Sequence, residues 1–301
     1  MECLLSQGKT GLNMGIIADK NTKVIVQGIT GREGRFHALR MKEYGTPVFA
    51  GVTPGRGGAD VEGIPVFDTV KEAVKLTGAD TSVVFVPPQF ASNAIYEAIA
   101  AGIKTITCIT EGIPVHETVK IRSIAQKDGV KLIGPNSPGL ITVDEANIGI
   151  MPGNIFKKGN VGVVTRSGTL AYEVISRLTT AGLGQSSCVG IGGDPVPGSS
   201  FVEILELFKQ DKQTETVVIL GEIGGTLEEE AAEWLANNKM SATAFIAGRS
   251  APEGKRMGHA GAIISGSSGS AKDKIKAFTE AGVPVADDID DLIRIVRESL
   301  K

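Results

Sequence analysis

The sequence predicts an α/β fold made of two doubly wound units, each a parallel sheet with helices on both faces. Short runs of β-branched residues alternate with stretches of helical spacing, and one turn-rich segment, Met151–Asn160, interrupts the alternation. Repeated succession of strand, helix and strand is typical of parallel sheets with crossover helices. The strands predicted before the interruption are residues 23–27, 47–52, 82–86, 105–109 and 131–133. The elements predicted after it are strands 161–165, 186–191, 216–220 and 243–247 and helices 169–181, 199–210, 226–238 and 271–281.

The interruption also predicts the domain organisation. It separates a first domain over residues 19–150 from a second over residues 151–301, and residues 1–18 form an N-terminal extension. A chain of 301 residues is long enough to bury two separate cores. Thr226 and Glu229 have the spacing of a capping box and predict the start of a helix.

The composition excludes several classes of protein. Glycine makes up 39 of the 301 residues, yet there is no collagen period and 42% of the residues are hydrophobic, which indicates an ordered chain with many tight turns. The net charge of −3 argues against a protein that holds nucleic acid through its overall field. No apolar run reaches the roughly 18 to 20 residues of a membrane span, and no secretory signal is evident. We therefore expect a cytoplasmic protein, or one of the mitochondrial matrix in a eukaryote, in which Cys3, Cys108 and Cys188 are reduced.

A glycine-rich turn follows the first predicted strand and opens a helix. Gln27–Gly34 has glycines at positions 28, 31 and 34, a spacing that differs from the GxGxxG of dinucleotide binders. Backbone N–H groups and the helix dipole at such a turn favour a phosphate. The next strand ends at Val52–Gly58, which holds no carboxylate for a ribose but does hold Arg56. An arginine there suits a phosphorylated ribose, so NADP and coenzyme A (CoA) both fit the pattern.

Two further strand ends are predicted at the same edge of the first sheet. Val86–Phe90 contains two prolines that preset its turn, and Ile109–Gly112 contains Glu111, whose carboxylate can accept from an adenine amino group or a ribose hydroxyl. Ligands of doubly wound sheets bind beyond the carboxyl ends of the strands. These segments are therefore predicted to line one pocket with the glycine-rich turn.

Of the three histidines, His259 has the surroundings that best suit chemistry. It lies in the glycine-flanked loop Gly254–Ala262 without bulky neighbours, so large reactants can approach its imidazole. His37 is interpreted as a structural histidine of the first helix, and His116 as a solvated one.

Two strand ends carry groups that a phosphorylated histidine requires. Ser167, Gly168 and Thr169 begin a helix after a strand, where hydroxyls and free N–H groups form an anion site. Neither a Walker P-loop nor a GxSxG nucleophile elbow is present there. Glu222 at another strand end can orient the imidazole of His259 through its second nitrogen. The set predicts an imidazole, a carboxylate that fixes its tautomer, and donors for phosphoryl oxygens.

Together these segments resemble the α subunit of succinyl-CoA synthetase, from about Asp19 to the C-terminus. The resemblance implies an N-terminal Rossmann-like CoA-binding domain and a C-terminal flavodoxin-like ligase domain. It also implies a partner β subunit, in an αβ or α2β2 assembly, whose ATP-grasp domain binds ATP or GTP with Mg²⁺, so no metal ligand is expected in this chain. The segments that carry the resemblance are residues 28–34, 52–58, 109–114, 134–136, 166–170, 189–195, 221–225 and 255–262.

The resemblance also implies roles for individual residues. His259 is then the residue that a nucleoside triphosphate phosphorylates and that passes the phosphoryl group to succinate, after which CoA attacks the acyl phosphate. Glu222 steadies the phosphohistidine, residues 167–169 cradle the phosphate, and Tyr172 matches a position that binds the organic acid. The positions that match CoA contacts are Thr30, Gly31, Arg32, Glu33, Arg56, Ile109, Thr110 and Glu111.

Several departures from the family pattern keep alternatives open. Arg56 stands where lysine is common, Arg32 and Glu33 replace smaller or amide residues, and Ser137 replaces a common cysteine. Sister enzymes built on the same subunit are malate–CoA ligase, citryl-CoA synthetase and acetate–CoA ligase. An NADP-dependent oxidoreductase and a CoA-sensing module without enzymatic activity are two further alternatives.

Overall fold

The computed structural model describes residues 15–252, 254, 256–264 and 269–301. Residues 1–14 of the predicted extension, with Cys3, lie outside the described residues, as does Lys255. The last part of the extension, residues 15–18, packs on the body of the protein. There the Thr142 hydroxyl donates a 2.7 Å hydrogen bond to the carbonyl oxygen of Ala18.

The first sheet is built from the buried β-branched runs that predicted it. Its inner strands are buried along their whole length, and a strand buried on both faces needs helices on both faces. The strands are β1 (Val24–Gln27), β2 (Val48–Val52), β3 (Asp60–Val61), β4 (Ile64–Phe67), β5 (Thr81–Val84), β6 (Thr105–Cys108) and β7 (Lys131–Ile133). The helices are α1 (Arg32–Tyr44), α2 (Val70–Thr77), α3 (Pro88–Ala100) and α4 (Val115–Lys127). The spatial order is β3-β4-β2-β1-β5-β6-β7, and every neighbouring pair is parallel except the hairpin β3–β4.

The second sheet combines four parallel strands with an antiparallel hairpin at one edge. Its strands are β8 (Gly139–Thr142), β9 (Ala146–Gly149), β10 (Lys158–Thr165), β11 (Gln185–Gly190), β12 (Thr216–Glu222) and β13 (Ala242–Ala247), in the order β13-β12-β10-β11-β8-β9. Its helices are α5 (Gly168–Thr180), α6 (Phe201–Gln210), α7 (Leu227–Asn238), α8 (Ala271–Glu280) and α9 (Ile289–Ser299). Among the described residues, no helix combines the length and the apolar character that a membrane crossing needs.

The chain changes sheets earlier than the predicted boundary after residue 150. The β8–β9 hairpin pairs with β11, so the chain leaves the first sheet after Ile133 and enters the second at Gly139. The sequence pattern missed this hairpin, as it missed β3–β4, because strands joined directly by a turn have no helix between them. Division by sheet membership therefore falls at residues 134–138, upstream of the turn-rich segment.

One hydrophobic core extends from the first sheet into the second. It contains Val26 of β1 and Met41 of α1 together with Val164 of β10 and Phe201 of α6. Buried apolar contacts of this kind hold the two sheets in a fixed relation.

Cys108 and Cys188 are packing residues, as expected. Both are free thiols that are fully buried in hydrophobic clusters. Burial raises the pKa of Cys108 to about 12 and also raises the pKa of Cys188. Both side chains are therefore thiols, not thiolates, at neutral pH.

Strand order brings the predicted loops together at one edge of each sheet. In the first sheet β1 lies between β2 and β5, with β6 beyond, so the glycine-rich turn lies beside Val86–Phe90 and Ile109–Gly112. In the second sheet β10 lies between β12 and β11, so Arg166, directly after β10, and Glu222, the last residue of β12, lie at the ends of adjacent strands. This topology puts the ends of parallel strands, where ligands bind, under each predicted site.

The start of α7 differs from its prediction. Thr226 is the N-cap residue, but its side chain makes no cap hydrogen bond, and its hydroxyl donates to Glu230 at 2.9 Å instead. The capping box predicted with Glu229 is therefore wrong. A complete capping box lies at the start of α6, where Ser200 and Glu203 each bond the backbone N–H of the other.

Replacing Ser200 by alanine removes a cap bond at the start of α6, so we expect the free energy of unfolding to fall by about 1 kcal/mol. Thr226→Ala removes no cap bond and is the matched control, with an expected change below about 0.5 kcal/mol. Urea denaturation followed by circular dichroism measures both variants. Equal losses of stability would contradict the assignment of the capping box to α6.

Candidate active site

His259 lies in a short loop that is tied to the residues after β11. The Gly261 N–H donates to the carbonyl oxygen of Gly193 at 2.9 Å, and the Met257 N–H donates to that of Ala262 at 2.8 Å. The imidazole packs directly on Gly193, where an added Cβ would lie 2.5 Å from a ring atom. Glycine at 193 is therefore required by the close approach of the ring. The side chain of His259 remains 28% exposed, which leaves part of the imidazole open to a reactant.

Glu222, the last residue of β12, holds one nitrogen of the ring. Its Oε2 lies 2.7 Å from Nδ1 of His259, and the Glu222 side chain is largely buried. A carboxylate only accepts hydrogen bonds, so Nδ1 carries the proton. In the neutral ring Nε2 is then the unprotonated nitrogen and the one able to act as a nucleophile.

The surroundings of His259 favour its protonated form. The hydrogen bond to Glu222 raises the pKa of His259 above its ordinary value of 6.5, and burial opposes this shift. Of the other nearby charges, Arg166 lowers this pKa and Asp194 raises it. Because Nε2 is nucleophilic only in the neutral ring, nucleophilic reactivity should increase as the pH rises through this elevated pKa.

Arg166 lies behind Glu222 and is buried. Its Nε is 3.5 Å from Oε1 of Glu222, and its Nη1 donates to the carbonyl oxygen of Gly224 at 3.2 Å. A buried carboxylate without a cation would be costly, and the guanidinium supplies that cation. Gly261 makes room for it, since a Cβ there would overlap the Arg166 guanidinium.

The predicted phosphate cradle lies at the start of α5, directly after Arg166. Ser167 is the N-cap residue, and its Oγ accepts a long 3.5 Å bond from the Leu170 N–H and lies 3.4 Å from the hydroxyl of Thr169. Gly168 lies against the hydroxyl of Tyr172, a residue of the second turn of the helix. The first turn of α5 thus brings two hydroxyls and free N–H groups together at one place.

A second site, a cavity of about 760 Å³, lies over the glycine-rich turn of the first sheet. Thr30, Gly31, Arg32 and Glu33 all line it. Gly31 is the N-cap of α1 and makes no side-chain cap bond, so N–H groups of the first turn have no cap side chain to bind. The opposite walls are apolar and are formed by Val52, Pro54, Val86, Pro87, Phe85 and Phe90. The cavity suits a ligand with an anionic group and a flat apolar part.

The remaining positions predicted to bind CoA are divided among different places. Ile109 and Thr110 line a smaller cavity of about 210 Å³, which shares Glu33 with the large one. Arg56 and Glu111 are exposed, and neither lines either cavity. The structure therefore brings together the residues of the glycine-rich turn, while Arg56 lies in the exposed turn between β2 and β3.

The other two histidines have the environments that were predicted. The ring of His37 stacks on Phe85 with centroids 5.5 Å apart, and burial lowers the pKa of His37. His116 is exposed next to Glu117. Neither histidine approaches Glu222, which leaves His259 as the histidine paired with that carboxylate.

Sequence reasoning gave no role to four charged residues near the Glu222–His259 pair, which are Arg166, Asp194, Glu228 and Lys274. All four are buried, and Asp194 accepts a 3.0 Å hydrogen bond from the side chain of Asn136. The sequence carried no signal for their burial, because charged residue types are usually exposed and only the tertiary fold shows their pairing.

Two family models match the two halves of this geometry. The CoA binding domain matches residues 19–112, and the CoA-ligase domain matches residues 164–284. The predicted order of a CoA-binding domain followed by a ligase domain is thereby confirmed. The α subunit of ADP-forming succinate–CoA ligase from Aquifex aeolicus is 58% identical over 275 residues, 90% of each chain. Subunit alpha 1 of the same ligase from Archaeoglobus fulgidus is 51% identical over 96% of this chain and 100% of its own.

Solved structures show the same fold in larger proteins. ATP citrate lyase from Methanothrix soehngenii, in complex with citrate and coenzyme A, has a TM-score of 0.85 at 26% identity, over 93% of this chain and 50% of that one. This chain therefore spans half the length of the lyase. A dinucleotide-forming acetyl-coenzyme A synthetase from Ca. Korarchaeum cryptofilum shares the fold, with a TM-score of 0.71 at 20% identity, over 90% of this chain and 59% of that one.

Glu222→Gln keeps an acceptor for Nδ1–H of His259 but removes the negative charge. We therefore expect the pKa of His259 to fall by roughly one pH unit or more. Titration of histidine-labelled protein by NMR measures this shift, with the signal of the exposed His116 as internal control. An unchanged midpoint for His259 would show that the charge of Glu222 does not hold the imidazolium.

Proposed function

The chain belongs to the family of succinate–CoA ligase α subunits, and from this premise we propose that it joins succinate to CoA through a phosphorylated His259. The observation that carries the proposal is the 2.7 Å hydrogen bond from Nδ1 to Glu222, which leaves Nε2 as the nucleophile. The relatives are named ADP-forming, which favours ATP over GTP as the phosphoryl donor.

The first step is transfer of a phosphoryl group to His259. Nε2 attacks the γ-phosphorus of ATP, a P–N bond forms, and the P–O bond to ADP breaks. Glu222 keeps the proton on Nδ1 and offsets the positive charge that the ring gains. Ser167, Thr169 and the N–H groups at the start of α5 are proposed to receive the phosphoryl oxygens.

The second and third steps use the phosphohistidine to activate the acid. A carboxylate oxygen of succinate attacks phosphorus, the P–N bond breaks, and His259 returns to its neutral form. The CoA thiolate then attacks the acyl carbonyl, and inorganic phosphate leaves. Tyr172 is proposed to orient the acid. Burial raises the pKa of Tyr172 to about 12, so it remains a hydroxyl donor at neutral pH.

CoA is proposed to occupy the cavity over the glycine-rich turn. Its phosphates would accept from N–H groups of residues 30–33 at the start of α1, and its adenine would lie against the apolar walls near Phe90. Arg56 is proposed to reach the 3′-phosphate from the turn between β2 and β3, and Ile109–Glu111 to contact the ligand from the next strand end. Family membership favours CoA over NADP for this cavity.

An α subunit acts with a partner subunit, and we propose that the partner is a β subunit with an ATP-grasp domain. It would hold ATP and Mg²⁺, and the assembly would be αβ or α2β2. The match to half of ATP citrate lyase supports this division of the enzyme between two chains. The bacterial and archaeal relatives favour the cytoplasm as its location.

Citrate is the second candidate acid. The lyase structure, which aligns with 93% of this chain at a TM-score of 0.85, is a complex with citrate and coenzyme A. Succinate is preferred because the relatives named for it are 51% and 58% identical to this chain, whereas the lyase is 26% identical. Assay of CoA-dependent ADP release against succinate, citrate, malate and acetate distinguishes these acids.

His259→Asn removes the nucleophile, so we expect phosphorylation by ATP to be lost and turnover to fall by about 10⁴-fold or more. The αβ complex is incubated with labelled ATP, and acid-labile, base-stable label on this chain is measured. His116→Asn, which changes an exposed histidine, is the matched control and should retain the label. Full labelling of His259→Asn would overturn the proposed carrier, and full turnover without label would point to a direct mechanism.

Arg56→Ala removes the cation proposed for the 3′-phosphate. We expect affinity for CoA to fall by about tenfold and affinity for dephospho-CoA, which lacks that phosphate, to stay unchanged. Calorimetric titration of both ligands measures the difference, and Arg294→Ala, an exposed arginine of α9, is the control. Equal losses for both ligands would contradict a contact to the 3′-phosphate.

A further inference from the structure

Three buried charged side chains lie behind the Glu222 carboxylate, and two of them, Lys274 and Glu228, have no part in the mechanism above. Lys274 of α8 and Glu228 of α7 are fully buried, and Arg166 is 2% exposed. Charged side chains are rarely buried to this extent unless they are paired. Three elements that are distant in sequence therefore bring their charges to one place beside β12.

Lys274 is bound on all sides by oxygen atoms. Its Nζ donates to Oε2 of Glu228 at 2.7 Å, to Oε2 of Glu229 at 2.8 Å and to the carbonyl oxygen of Gly225 at 2.9 Å. These three acceptors match the three N–H groups of an ammonium. Lys274 thus fixes the segment that connects β12, which ends in Glu222, to α7.

Glu228 connects Lys274 to the active site. Its other oxygen, Oε1, accepts from the backbone N–H of Glu222 at 3.1 Å and lies 3.6 Å from Nη1 of Arg166. Arg166 is therefore placed between two carboxylates, Glu228 on one side and Glu222 on the other. A change of charge at Lys274 alters how strongly Glu228 attracts this guanidinium.

One contact in this chain of charges is incompletely made. Nε of Arg166 and Oε1 of Glu222 are 3.5 Å apart, and both are buried atoms without a hydrogen-bond partner among the described residues. A small shift of the guanidinium would bring these two atoms to hydrogen-bond distance or move them further apart. The position of the guanidinium therefore sets how strongly Arg166 neutralises the Glu222 carboxylate that His259 contacts.

From this geometry we propose that Lys274, acting through Glu228 and Arg166, sets the charge that Glu222 presents to His259. Lys274 is in this sense a positioning residue of the phosphoryl carrier, although it contacts neither the imidazole nor a substrate. The functional meaning of this inference rests on the proposed function, since the charge of Glu222 matters for catalysis only if His259 is phosphorylated. Its physical content, the coupling of Lys274 to His259, is independent of that function.

The coupling has a sign that depends on which charge is removed. Without Lys274, Glu228 attracts Arg166 more strongly, so Arg166 neutralises the carboxylate of Glu222 less. The more negative carboxylate then favours the imidazolium form of His259. Without the charge of Glu228, Arg166 pairs with Glu222 alone, and the imidazolium is disfavoured. Among the described residues, the charged groups that act on His259 besides Arg166 are Glu222 itself and Asp194 after β11, and neither variant replaces them.

The test is the titration midpoint of His259, measured by NMR in the full chain with labelled histidine and its unlabelled partner subunit. We expect Lys274→Met to move the midpoint upward and Glu228→Gln to move it downward, each by roughly 0.5 to 1 pH unit. Lys276→Met, on the exposed side of the same helix, is the matched control and should leave it unchanged. Shifts in the same direction, or none in either variant, would overturn the coupling.

Lys274→Met leaves the buried carboxylate of Glu228 without its ammonium partner, so the double variant Lys274→Met/Glu228→Gln provides a second test. If Lys274 acts only through the charge of Glu228, we expect the midpoint of the double variant to match that of Glu228→Gln alone, because the effects of two residues in direct contact do not add. A midpoint close to the wild-type value, which is the sum of two opposite and independent shifts, or one as high as in Lys274→Met alone would contradict the relay through Glu228. These midpoints are read without ATP, so a failed coupling and a failed phosphohistidine give different results.

Discussion

The 2.7 Å hydrogen bond between Glu222 and His259 requires a carboxylate in a place that water scarcely reaches. Much of the surrounding structure stabilises that buried negative charge. A buried carboxylate needs a cation, and Arg166 supplies it from the adjacent strand. The guanidinium in turn requires room and partners. Gly261 provides the room, and Gly224 and Glu228 provide acceptors or counter-charge. The glycine content of the chain thus has a local cause here, because backbone must come close to a ring and a guanidinium.

The two sheets divide the chemistry between them. The first sheet offers a large, mainly apolar cavity with uncapped N–H groups, which suits a ligand that brings its own phosphates. The second sheet holds the paired charges and the single histidine that contacts them. One continuous hydrophobic core fixes the sheets to each other, so a thioester-forming ligand bound over one sheet has a defined relation to a phosphoryl carrier over the other.

Local sequence patterns predicted the elements that repeat and the residues that stand at strand ends. Every strand predicted from alternation is present, and Glu222 meets His259 as expected. The β8–β9 hairpin was missed because alternation of strand and helix cannot reveal strands joined by a turn. Lys274 was missed for a different reason. A lysine in a helix with several charged residues is expected to be exposed to solvent. Only the tertiary fold shows that α7 brings two carboxylates to Lys274.

The proposed mechanism is tested most directly by identifying the atom to which the phosphoryl group is attached. Because Glu222 accepts a hydrogen bond from Nδ1–H and so keeps the proton on Nδ1, the phosphoryl group should be bonded to Nε2 of His259. Phosphorylated αβ complex with ¹⁵N-labelled histidine in this chain can be observed by NMR for coupling between phosphorus and nitrogen. We expect coupling to Nε2 of His259 alone. Coupling to Nδ1, or a phosphoryl group on any other residue, would contradict the role assigned to Glu222.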